Sequence, residues 1–163
     1  MKLIKLALVS ILILFAIATG IGLLFPATVI VSRAVNINAP KDTIYTLVKD
    51  LNGWKQWVNG MNENNVTIET PLKGQLGNSS VVIQSNQRDT IHSVWTGRKG
   101  DEQLSDIHLY HNNGQMETVV QWEFRQELSW YPWERFGSMM NDKILGTMME
   151  KNLNNLKDLL EQH

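Results

Sequence analysis

Residues Leu6 to Phe25 carry no charged side chain, and this run constrains the chain more than any other feature. At a helical rise of ~1.5 Å per residue, about 20 residues reach roughly 30 Å, the thickness of a bilayer's hydrocarbon core. Each Leu, Ile, Val or Phe at the centre of such a helix favours insertion by ~0.3–0.6 kcal/mol. Lys2 and Lys5 precede the run and Pro26 closes it. A third reading, a buried core helix, is disfavoured by this length and all-round apolarity, and two others stand against it. In the first, residues 1–26 are an uncleaved transmembrane anchor. In the second they are a secretory signal, with Ala16-Ile17-Ala18 as its cleavage site. A signal's apolar region ends after about 7–15 residues. Here apolarity continues through Ile21, Leu23, Leu24 and Phe25, which favours the anchor. The two lysines point to an N-terminus on the inner side and a soluble domain outside, although Arg33, Lys41 and Lys49 lie close to the other end.

The remainder, 27–163, has the size of one domain with a real core. A net charge of -1 supplies no basic field for nucleic acid. Cysteine is absent, which excludes disulfide staples, thiolate metal sites and Cys nucleophiles. Six tryptophans and seven methionines promise large, adaptable apolar walls.

After Pro26, Val29, Val31, Arg33, Val35 and Ile37 fall on one face at period 2, so a strand leaves the membrane. Ala39-Pro40 opens a helix whose apolar positions, Ile44, Leu47, Val48 and Leu51, follow the helical repeat. Asn52-Gly53 is expected to end it, with Trp54 to Trp57 as a short second turn. From Val66 the texture is β-rich. Runs at Val66–Glu69, Ser80–Ser85, Thr90–Gly97, Leu104–His111 and Gln115–Leu128 are separated by turn clusters, among them Lys73-Gly74 and the hairpin signal Asn113-Gly114. Met116, Thr118, Val120, Trp122 and Phe124 alternate with Glu117, Gln121, Glu123 and Arg125, as in an antiparallel sheet covered on one face. Pro132 then starts a long helix with a stripe at Phe136, Met140, Leu145, Met149, Leu153, Leu156 and Leu160. The expected fold is α+β: strand, two helices, a meander of antiparallel strands, long helix.

This order and several strings resemble the START-like (SRPBCC) superfamily. It has the helix-grip fold of the pollen-allergen type and includes the polyketide cyclase/dehydrase and lipid-transport family. The matching strings are Val35-Asn36-Ile37-Asn38-Ala39-Pro40, the apolar helix to Leu51, Trp54…Trp57, Trp122, and Gly146…Glu150…Leu153-Asn154-Asn155-Leu156-Lys157. The family's Glu-x-Gly-Leu is broken, because Asn152 replaces Gly. The resemblance covers about residues 29 to 161. It implies a curved sheet gripping the last helix around a cavity for apolar ligands, and it identifies no catalytic residue. Chains of this superfamily with one N-terminal membrane helix look like a bacterial subgroup.

On that resemblance the cavity candidates are Trp95, Trp122, Phe124 and Met116 on the sheet. Met140, Ile144 and Met148 would face them from the helix, with Trp54 and Trp57 near the mouth. The same residues at these spacings equally serve as plain core. No cofactor is implied. His108 and His111 are an odd step apart on a strand and point to opposite faces, so they make no metal site. His92, Asp106, His108 and Tyr110 are the polar groups available for acid or base work. The expected function is a membrane-tethered module binding a lipid or other hydrophobic small molecule. A cyclase/dehydrase-like enzyme is the first alternative. The second is an envelope scaffold docking a protein partner through the sheet or the Trp130-Tyr131-Pro132-Trp133 segment.

Overall fold

The computed structural model describes residues 2–98, 100–111 and 117–162. The Asn113-Gly114 hairpin signal and Met116 lie outside the described residues. Helix α1 (Lys2–Gly22) is long and apolar enough to cross a membrane, with a mean hydropathy of 2.5. Every side chain from Lys2 to Ile17 is exposed.

Seven antiparallel strands form one sheet: β1 (Thr28–Ile37), β2 (Val66–Thr70), β3 (Lys73–Leu76), β4 (Ser79–Asn86), β5 (Thr90–Thr96), β6 (Glu102–His111) and β7 (Thr118–Glu127). Their order is β1-β7-β6-β5-β4-β3-β2. β2 to β7 are therefore a continuous meander, and β1 closes its open side against β7. The sheet is curved around a long C-terminal helix, α4 (Pro132–Glu161), in a helix-grip α+β fold. Register breaks at Ile83/Ser85 and Ile68/Thr70 add local twist.

Two short helices connect β1 to the meander. α2 (Lys41–Val48) stops earlier than its apolar repeat suggests, and Leu51 begins α3 (Leu51–Trp54). The cause is Asp50, whose side chain caps the new helix by accepting from Gly53 N at 2.8 Å. Asn52-Gly53 therefore lies inside a helix rather than ending one. A Cβ on Gly53 would come 2.4 Å from Leu47 O, so only glycine lets α3 fold back so tightly. Lys73-Gly74 is likewise strand, not turn. Gly74 is buried, and a Cβ there would meet Leu51 Cδ1 at 3.0 Å and Thr67 O at 2.9 Å. Here glycine serves close packing instead of chain reversal.

α4 buries Met149, Leu153 and Leu156 against the sheet, with Leu145 and Leu160 partly covered. Phe136 and Met140 leave the expected stripe and are exposed. At 100° per residue they lie on the helix side opposite Met149 and Leu153. In the front half the inward positions are held by Arg135, Ser138 and Gly146 instead.

Candidate ligand cavity

The inner face of the sheet carries Ile91, Ser93 and Trp95 from β5, Ser105, Ile107 and Leu109 from β6, and Val120, Trp122 and Phe124 from β7. Small and large residues alternate across the strands. Ser93 and Ser105 face one another, and each accepts an indole proton. Trp95 Nε1 donates to Ser93 Oγ at 3.3 Å, and Trp122 Nε1 donates to Ser105 Oγ at 2.8 Å.

Trp54 and Trp57 are not at a mouth. They are buried at the centre, and the end of α2 explains why. The last carbonyls of a helix have no partner within it. Trp54 Nε1 supplies a donor to Val48 O at 2.7 Å, and Trp57 Nε1 supplies one to Leu47 O at 3.0 Å. The rings then pack onto the sheet tryptophans. Trp54 stacks on Trp95 with centroids 6.1 Å apart, and Trp57 meets Trp122 edge-on at 5.5 Å. Phe124 lies 5.5 Å from both Trp95 and Trp122. Much of the space between sheet and helices is thus filled by satisfied indoles.

A cavity of about 210 Å³ remains beside this cluster. Val58 and Met61 from the turn after α3 bound it, together with Val66 and Leu76, Trp95 and Trp122, and Met148 of α4. Exposed Gly60, Glu63 and Asn65 stand at its edge. The turn is pinned to α4 by two asparagines one helical turn apart. Asn152 Oδ1 accepts from both Asn59 N and Asn59 Nδ2 at 2.9 Å, and Asn155 Nδ2 donates to Trp57 O at 3.0 Å. Asn152 is fully buried.

Of the expected lining, Trp95, Trp122 and Met148 border this cavity. Met140 and Ile144 point away from the sheet and are exposed, for the same helical-phase reason as Phe136. Val58, Met61 and Leu76 were missed. The run Trp54, Trp57, Val58, Met61 has helical spacing and was the available signal.

The polar candidates lie on the other face of the sheet. His92 Nδ1 hydrogen-bonds Asp106 Oδ1 at 2.6 Å across β5 and β6. His108 bonds Thr90 Oγ1 at 3.1 Å and stacks on the exposed Tyr110 at 5.9 Å. Strand alternation puts these four opposite Ile91, Ser93, Ile107 and Leu109, away from the cavity. Among the described residues no group of three or more His, Asp or Glu side chains is placed to hold a metal ion.

A family model described as polyketide cyclase / dehydrase and lipid transport matches residues 28–161. No curated protein matches the chain in sequence. Solved structures share its fold. A protein of Nitrosospira multiformis superposes with a TM-score of 0.65 at 13% identity, over 81% of this chain and 96% of its own. A START superfamily protein from Mycobacterium smegmatis gives 0.60 at 20% identity, over 82% and 97%. The di-domain ARO/CYC StfQ from the steffimycin biosynthetic pathway gives 0.60 at 10% identity, over 83% of this chain and 52% of StfQ.

Proposed function

Because the chain belongs to the polyketide cyclase/dehydrase and lipid transport family, we propose that it is a membrane-tethered START-like domain that binds a lipid or other hydrophobic small molecule. Residues 1–26 are the tether and 27–163 the binding domain. The observation that carries this reading is the apolar cavity walled by Met61, Leu76, Trp95, Trp122 and Met148. Drug-sized ligands occupy clefts of ~300–1,000 Å³. A space of about 210 Å³ suits a small apolar group or one end of a longer molecule. The outer-face position of His92, Asp106, His108 and Tyr110 favours binding over catalysis by those groups.

The tether rests on the length and apolarity of α1, and Lys2 and Lys5 favour an external domain. The full chain is expected to stay with membranes after a carbonate wash and to keep its N-terminus. A mature product starting near Thr19 would refute the tether. For the cavity, the full chain is placed in vesicles containing a diazirine-bearing fatty acid and irradiated. Adducts are expected on peptides carrying Val58–Met61 or Leu76, and their loss is expected in Leu76→Trp, which fills the cavity. Adducts confined to α1 in both proteins would reject the binding site.

A further inference from the structure

The outward face of α4 changes character along its length. Trp133, Phe136, Met140, Ile144 and Met148 follow one another at helical spacing, with exposures of 61%, 39%, 58%, 67% and 40%. The same face continues as Lys151, Asn154 and Asp158. The apolar part runs for roughly 22 Å at ~1.5 Å per residue. A stripe that size is too large to be incidental surface.

Its position says what covers it. The front of α4 is joined to the exit of α1. Pro132 packs under Gly22, where a Cβ would come 3.3 Å from its Cα, and Phe25 meets Phe136 edge-on at 5.7 Å. Arg135 is buried and donates to Phe25 O and to Ser129 O. Glu134 accepts from Ser129 N at 3.0 Å. The first-turn charges are therefore occupied by backbone. Trp133 and Phe136 share an apolar cleft of about 400 Å³ with Ile11, Leu14, Phe15 and Ala18 of α1. Beside it Trp130 lies tilted against Tyr131 with centroids 4.6 Å apart, and Tyr131 stacks on Trp133 at 4.8 Å, all three exposed. Aromatic residues at the end of a span are the usual belt at a membrane–water interface.

We propose that the front half of α4 is an interfacial helix: its Trp133–Phe136–Met140–Ile144 face lies in the bilayer that α1 crosses. This rests on the reading of α1 as a span. An amphipathic helix in the interface sinks its apolar face ~5–10 Å into the headgroup and acyl boundary. Lys143, at the side of the stripe, reaches the headgroups with its charged end. Lys151, Asn154 and Asp158 mark where the helix leaves the membrane surface. Met148 ends the stripe and also borders the cavity. Seating this face therefore brings the cavity's α4 wall to the lipid surface, and an apolar ligand has a continuous greasy path between them.

The absence of cysteine allows single labels without background. Leu14→Cys, Ile144→Cys and Asp158→Cys, all at exposed positions, are each labelled with bimane in the full chain. They are reconstituted in phosphatidylcholine vesicles with and without brominated acyl chains. Quenching at positions 14 and 144, several-fold above that at 158, is the expected result. Quenching at 14 with none at 144 overturns the inference and leaves the tether standing. A blue-shifted but unquenched label at 144 means that protein, such as a second copy, covers the stripe, and it also overturns the inference. No quenching at 14 removes the tether and the inference together.

Discussion

Arg33 lies across Gly146. A Cβ at position 146 would fall 2.2 Å from Arg33 Nη2 and 2.6 Å from Cζ. The guanidinium bridges one helical turn to either side, with Nε on Glu150 Oε1 at 2.8 Å and Nη2 on Asp142 Oδ1 at 3.2 Å. β1 and α4 are thereby clamped by a cation on the inner face of an edge strand. Exposed ion pairs are worth only ~0–1 kcal/mol each. Glycine inside a helix costs ~1 kcal/mol relative to alanine. Gly146→Ala gains that propensity but displaces the flexible end of Arg33 from both carboxylates, so its net effect should lie within ~1 kcal/mol of zero. In an Arg33→Ala background the same change should stabilise by up to ~1 kcal/mol. Thermal unfolding of the full chain in detergent, followed by tryptophan fluorescence, reads both changes. An equal change in the two backgrounds would disprove the clamp.

The indoles that close α2 give a second expectation. Trp57→Phe keeps the ring and removes the donor to Leu47 O. The bond is part-buried, and losing it together with the volume of the larger ring should cost ~1–2 kcal/mol. Trp95→Phe should cost less, because Trp95 is half-buried and its 3.3 Å bond to Ser93 is long. Equal losses in the two variants would mean that capping α2 is not what Trp57 contributes.

The sheet was largely legible because period-2 alternation survives in β1, β6 and β7, and one side of each is buried. The misreadings share a cause. Gly53 and Gly74 look like chain breaks, but both sit where two backbones touch. That is a tertiary fact with no local signature. The front of α4 departs from its expected stripe for a related reason. Phe136, Met140 and Ile144 are apolar at helical spacing, and periodicity alone does not say which solvent an apolar face meets. The tryptophans were recognised as important, but their depth depends on carbonyls at the end of α2 and on serines across the sheet.

Outer-face chemistry makes a contrasting prediction. Asp106→Asn and His108→Ala alter a cross-strand contact that water can replace. Each should shift stability by less than ~1 kcal/mol. Neither should change fatty-acid photo-adducts on the Leu76 peptide. A marked fall in adducts with either variant would place that group's influence inside the cavity and revive a catalytic role for it.

Asn152 should prove the most sensitive polar residue on α4. It is wholly buried, and its Oδ1 holds two donors from Asn59. The side chain thereby fixes the turn that forms one wall of the cavity. Asn152→Ala frees Asn59 and should destabilise by ~1–2 kcal/mol. Asn152→Gly should cost ~1 kcal/mol more through helix propensity. In both, amide exchange should accelerate at Asn59 and Gly60 while β7 amides stay protected, because the loosened element is local. Uniform acceleration across the sheet would instead mean that Asn152 supports the whole fold, and its link to the cavity wall would lose its meaning.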